Sequence, residues 1–159
     1  MATIKHDLVI QFGSEYGVEE EQAVLEVLRR GAPTSGNECI AFEQEFAAYC
    51  GAAHARVVSN GTAALFLSMV ALGIKPGDRV ITTPLTWIAT AAAPVTLGAE
   101  IDFVDVDPVT FNIDPAQIGA AITPRTKAIL PVHLYGQCCD MDAILAIGQR
   151  HGSAVVEDA

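Results

Sequence analysis

Three short segments carry residue types that suit one chemistry. The first is Ser59–Asn60–Gly61–Thr62–Ala63–Ala64, where a β-branched run meets a helical pattern. Gly61 permits close backbone approach. The N–H groups of Thr62 and Ala63 stand at a helix N-terminus, where unpaired donors and the helix dipole favour an anion. The Thr62 hydroxyl adds a further donor, so a phosphate fits. Ordinary helix capping by Asn60 or Thr62 accounts for the same residues. The second segment holds Trp87, the single tryptophan of the chain. A flat aromatic there stacks on a planar ring, or else fills the core as large aromatics commonly do. The third is Val155–Val156–Glu157–Asp158, a β-branched run ending in two carboxylates. An acid paired with a pyridinium nitrogen keeps the ring protonated and makes it an electron sink. A helix cap or a magnesium ligand are the other readings of such an acid. Each segment alone is a weak signal. Together they supply an anion cradle, a stacking surface and a ring-nitrogen partner, the parts needed to hold a phosphorylated pyridine.

Those parts need elements to position them. Glu19–Arg30 has helical periodicity and stops at Gly31, and Ile40–Tyr49 is a second amphipathic helix that Gly51 ends. Gly31–Gly36, with Pro33, is a loop between them. From residue 55 the pattern alternates. Ala55–Ser59, Arg79–Thr83, Ile101–Val106, Ala128–His133 and Ser153–Glu157 read as strands. Thr62–Leu72, Thr86–Leu97 with Pro94 kinking or capping it, a helix capped by Asp114 with Pro115 at its first turn, and Met141–His151 capped by Asp140 read as helices. Alternation of buried strands with helices predicts a mostly parallel α/β sheet flanked by helices. Ligands of such sheets bind at the carboxyl ends of the strands, which is where Trp87 and Asp158 fall. The expected division is a helical segment over residues 1–54 and a partial α/β domain over 55–159.

Composition narrows the function. The net charge is −10, with nine Lys and Arg among 159 residues, which argues against nucleic acid. Cys39, Cys50, Cys138 and Cys139 form no C-x-x-C pair and no zinc spacing. Reduced thiols and a cytoplasmic protein are expected. The start, MATIKHDLVIQFG, has no signal-peptide core, and the apolar stretches near 61–74 and 87–99 are too short to span a membrane. Gly31–Gly36 has P-loop glycine spacing, but Asn37 and Glu38 stand where Lys and Ser or Thr are required. Asp102, Asp105 and Asp107 do not share one strand face, so a metal site is not expected. His133, in HLYG at a strand end, either reaches the site or orders its loop by hydrogen bonding.

The run NGTAALFLSMVALGIKPGDRVITTPLTWIATAAAPVTLGAEIDFVDVDPVTFNID, followed by TKAILPVHLYGQCCDMDAI and VVEDA, resembles the DegT/DnrJ/EryC1/StrS aminotransferases, and FEQEFAAYCG upstream is similar too. The likeness extends from about Val18 to Ala159. It implies the fold-type I large domain, pyridoxal 5'-phosphate as cofactor, a nucleotide-linked keto sugar as substrate, glutamate as amino donor and a homodimer when complete. It assigns Gly61, Thr62 and Ala63 to the phosphate, Trp87 to the ring face and Asp158 to the ring nitrogen. Asn60 departs from the commoner serine.

The same likeness implies a Schiff-base lysine beyond Ala159, so no catalytic residue is expected within the chain. Lys75 and Lys127 belong to the opposite sheet edge, roughly 20 Å away at about 3.3 Å per strand residue, and Lys5 lies in no motif. The late strands and small domain of the family would also lie beyond the chain. Ala55–Ser59 would then lack a neighbour, and the chain alone is expected to be inactive and aggregation-prone. A sugar dehydratase of the same family, with histidine in place of the lysine, and a non-catalytic truncated domain are the other expectations.

Overall fold

A computed structural model describes residues 16–31 and 36–159. Two compact units divide the chain, residues 1–57 and 58–159. Most of the Gly31–Gly36 loop, Lys5 and the start of the chain lie outside the described residues.

The first unit contains α1 (Val18–Arg30) and α2 (Asn37–Cys50). Glu19, Glu20 and Glu21 in the first turn of α1 and Arg29 and Arg30 in its last match the helix dipole. The Glu20 carboxylate accepts the Gly17 N–H at 2.7 Å, which holds its pKa below the ordinary value. Phe42 and Phe46, one helical turn apart on α2, stack with ring centroids at 5.5 Å. Glu43 between them accepts the Val57 N–H at 2.9 Å and the Arg56 guanidinium at 2.8 Å. Ala55–Ser59 is therefore not the expected strand. β-branched residues make a strand only where a neighbour completes the ladder, and the Val57 N–H is bound to a side chain instead.

The second unit is an α/β layer structure. Its helices are α3 (Gly61–Ala71), α4 (Ala89–Thr96), α5 (Pro115–Ala121) and α6 (Met141–His151), and its strands are β1 (Arg79–Thr82), β2 (Glu100–Phe103), β3 (Thr126–Leu130) and β4 (Ala154–Val155). The strands form one sheet in the order β2-β1-β3-β4, and every pairing is parallel. Period-two alternation splits the core into two layers. Val80, Ala128 and Leu130 pack with Leu65 and Met69 of α3 and Ala89 and Ala93 of α4. Ile81 and Ile129 point the other way, onto Ile118 of α5 and Ile144 of α6.

All four strands stop short of the ends their β-branched runs suggest, β1 by one residue, at Thr82. β2 ends at Phe103, and Val106 makes only an isolated antiparallel bridge to Ile113. β3 ends before Pro131, which has no N–H for a ladder. β4 has two residues, though an isolated parallel bridge joins Val132 to Asp158 beyond it. α4 starts at Ala89 rather than Thr86, and Pro94 is accommodated inside it, near its end. Asp114 and Asp140 cap α5 and α6 as their sequence contexts suggest, accepting the N–H groups of Ala116 and Ala143. β4 lies close against α6 at Gly148, where an added Cβ would stand 2.8 Å from Val155 Cγ2 and 2.9 Å from the Ser153 carbonyl.

Candidate functional site

α3 feeds β1 through the short connection Gly73–Asp78, so it runs antiparallel to the strands. Its N-terminus therefore faces the carboxyl edge of the sheet. Trp87 follows β1 and Asp158 follows β4 at that same edge. The three segments singled out by chemistry thus belong to one side of the second unit.

At α3, Asn60 is the N-cap, and its side-chain oxygen accepts the Ala63 N–H at 2.8 Å. Capping by Asn60 is thus present, and the Ala63 donor is engaged. Among the described residues the N–H groups of Gly61 and Thr62 have no hydrogen-bond partner. Both residues are exposed, and a Cβ on Gly61 would meet nothing within 4 Å. The open donors for an anion here are Gly61 N–H, Thr62 N–H and the Thr62 hydroxyl.

Trp87 is 78% exposed and so is not a core residue of this unit. Asp158 is held on three sides. Its N–H donates to the Pro131 carbonyl at 3.0 Å, and its carbonyl accepts the His133 N–H at 2.9 Å. Its Oδ2 accepts the Thr90 hydroxyl at 2.6 Å. Thr90 is fully buried and also lies 2.9 Å from the Thr86 hydroxyl. Neither threonine stands out in the sequence. The partner of Thr90 is 68 residues away, so no local pattern marks it.

His133 orders its loop. Its Nδ1 accepts the Cys139 N–H at 3.1 Å, and its Nε2 lies 2.9 Å from Glu157 Oε2. An Nδ1 that accepts leaves the proton on Nε2, which donates to the carboxylate. The Cys139 thiol beside it is buried, and burial pushes its pKa up, so it is not a reactive thiolate.

The aspartates near β2 have structural partners. Asp102 pairs with Arg79, Asp105 accepts the Val106 N–H, and Asp107 accepts the N–H groups of Val109 and Thr110, which hold its pKa low. Among the described residues no group of three or more ligating side chains forms a metal site. No described helix is long and apolar enough to cross a membrane. Lys75 precedes β1, and Lys127 is the second residue of β3, so both belong to the amino edge of the sheet.

The family model for the DegT/DnrJ/EryC1/StrS aminotransferase family matches residues 14–159. The chain is 56% identical to GDP-perosamine synthase of Caulobacter vibrioides, over 78% of this chain and 33% of that protein. It is 54% identical to spore coat polysaccharide biosynthesis protein SpsC of Bacillus subtilis, over 90% of this chain and 37% of that protein. The crystal structure of NtdA from Bacillus subtilis with bound cofactor PMP superimposes with a TM-score of 0.83 at 39% identity, covering 90% of this chain and 34% of that one. The chain thus spans about a third of the length of these relatives.

Proposed function

This chain belongs to the DegT/DnrJ/EryC1/StrS aminotransferase family, and we propose that it supplies the cofactor-binding part of a pyridoxal-phosphate aminotransferase. The substrate would be a keto group on a nucleotide-linked sugar, with glutamate as amino donor. The observation that carries this reading is the convergence of open α3 donors, exposed Trp87 and a fixed Asp158 at one sheet edge of a family member. The sugar substrate is favoured by relatives such as GDP-perosamine synthase.

The residues present fit the cofactor. Gly61 and Thr62 would hold the phosphate through two N–H groups and a hydroxyl, at the positive end of α3. Ala63 joins them if the Asn60 side chain turns away. Trp87 would cover one face of the ring. Asp158 would pair with the ring nitrogen and keep a proton on it. When bound, the cofactor carries the amino group between donor and sugar and accepts electron density from the reacting carbon. Proton transfer at that carbon needs a base, and neither described lysine is placed to supply it. Lys75 and Lys127 are at the wrong edge, and the base is assigned to a lysine after Ala159. The complete enzyme is proposed to be a cytoplasmic homodimer.

The test is amino transfer by the protein purified from its natural source. With pyridoxal phosphate, 15N-glutamate and a nucleotide-linked keto sugar, mass spectrometry is expected to find 15N on the sugar. A sugar that loses its hydroxyl instead of gaining nitrogen would overturn amination in favour of dehydration.

A further inference from the structure

We infer that Thr90 is a positioning residue for Asp158, with Thr86 fixing the direction of the Thr90 hydroxyl. This rests on the pyridoxal-phosphate reading above. An ionised carboxylate only accepts hydrogen bonds, and a threonine hydroxyl has one proton to give. The 2.6 Å contact therefore commits the Thr90 proton to Asp158 Oδ2. The 2.9 Å contact between the two threonines must then run from Thr86 to Thr90. The result is a polarised chain, Thr86 to Thr90 to Asp158, ending on the acid.

Its consequence is orientation. The Asp158 backbone is already fixed through Pro131 and His133. With Oδ2 fixed as well, Oδ1 is the carboxylate oxygen with no hydrogen bond among the described residues, and it is the one left for a ring nitrogen. Thr90 is fully buried, so water does not compete for its proton. The segment from Thr86 to Thr90 also carries Trp87. One short stretch therefore sets the stacking surface and, through Thr90, the orientation of the acid.

The experiment uses pyridoxamine phosphate labelled with 15N in its ring, a probe that needs no lysine to bind. Affinity is read by isothermal titration calorimetry on the complete protein, and protonation by the ring-nitrogen chemical shift. T90V keeps the shape and removes the donor, and T90S keeps the donor. T90V is expected to weaken the probe about tenfold, as for a lost hydrogen bond to a charged group, and to move the ring nitrogen toward its unprotonated shift. T90S should stay within about twofold of the parent, because it retains that bond. T86V, at a half-buried position, gives a smaller change in the same direction and serves if T90V does not fold. Equal losses in T90V and T90S, or none in T90V and T86V while D158N binds weakly, would overturn the inference. Failure of the parent to bind the probe, or a D158N variant indistinguishable from it, would instead overturn the cofactor reading and the inference with it.

Discussion

The two edges of the sheet use polar residues in opposite ways. At the amino edge, Arg79 pairs with Asp102 and Glu100, and Arg125 pairs with Glu100. These charges neutralise one another, and the Asp102 hydrogen bond raises the Arg79 pKa. At the carboxyl edge His133 and Glu157 also pair, but a second set of polar groups is aligned and not closed off. Asp158 has one oxygen engaged by Thr90, Gly61 and Thr62 present unpartnered N–H groups among the described residues, and Trp87 stands 78% exposed. Charges that complete their own pairing serve the fold. Groups fixed in direction with one valence left over suit a ligand.

That contrast can be broken or sharpened by mutation. The largest effect is expected from Gly148→Ala. The new Cβ would clash with Val155 and the Ser153 carbonyl, costing about 1–3 kcal/mol as overpacking does. Because β4 leads into Asp158, thermal stability and binding of pyridoxamine phosphate should fall together, which calorimetry checks. Trp87→Ala should weaken that ligand by about 1 kcal/mol, the scale of an aromatic stacking pair, and leave the melting temperature unchanged because the side chain is exposed. Arg79→Met should do the reverse, lowering the melting temperature while ligand affinity holds. The smallest effect is acid sensitivity. The Arg125 hydrogen bond holds the Glu100 pKa below its ordinary 4.5. A carboxylate depressed on folding contributes stability above its unfolded pKa, and loses it as pH falls through the folded value. Melting temperature should therefore be flat above the carboxylate range and drop below it, less steeply in Arg125→Met.

Sequence made some of this legible and hid the rest, for physical reasons. Asp114 and Asp140 were readable as caps because capping is local, between residues two or three apart. The parallel sheet followed from the alternation of elements. Strand lengths did not, because Val106, Val132 and Val156 have strand-like side chains but lie beyond the continuous ladder. Ala55–Ser59 failed for the same reason, its Val57 N–H being bound to Glu43. Thr62, Trp87 and Asp158 came from motif and resemblance together. Thr90 had neither, since its role depends on a partner brought near only by folding. Asn60 shows the limit of reading donors from position: position allows the Ala63 N–H to serve an anion or a cap, and the Asn60 side chain holds it as a cap.

The most direct test of the account is a two-dimensional 1H–15N NMR titration of the protein with pyridoxamine phosphate. The account predicts saturable shifts at Gly61, Thr62, the Trp87 indole, Thr90 and Asp158, with Arg79, Glu100 and Arg125 unmoved. Shifts centred on the amino edge, or none at the carboxyl edge at saturating ligand, would contradict it.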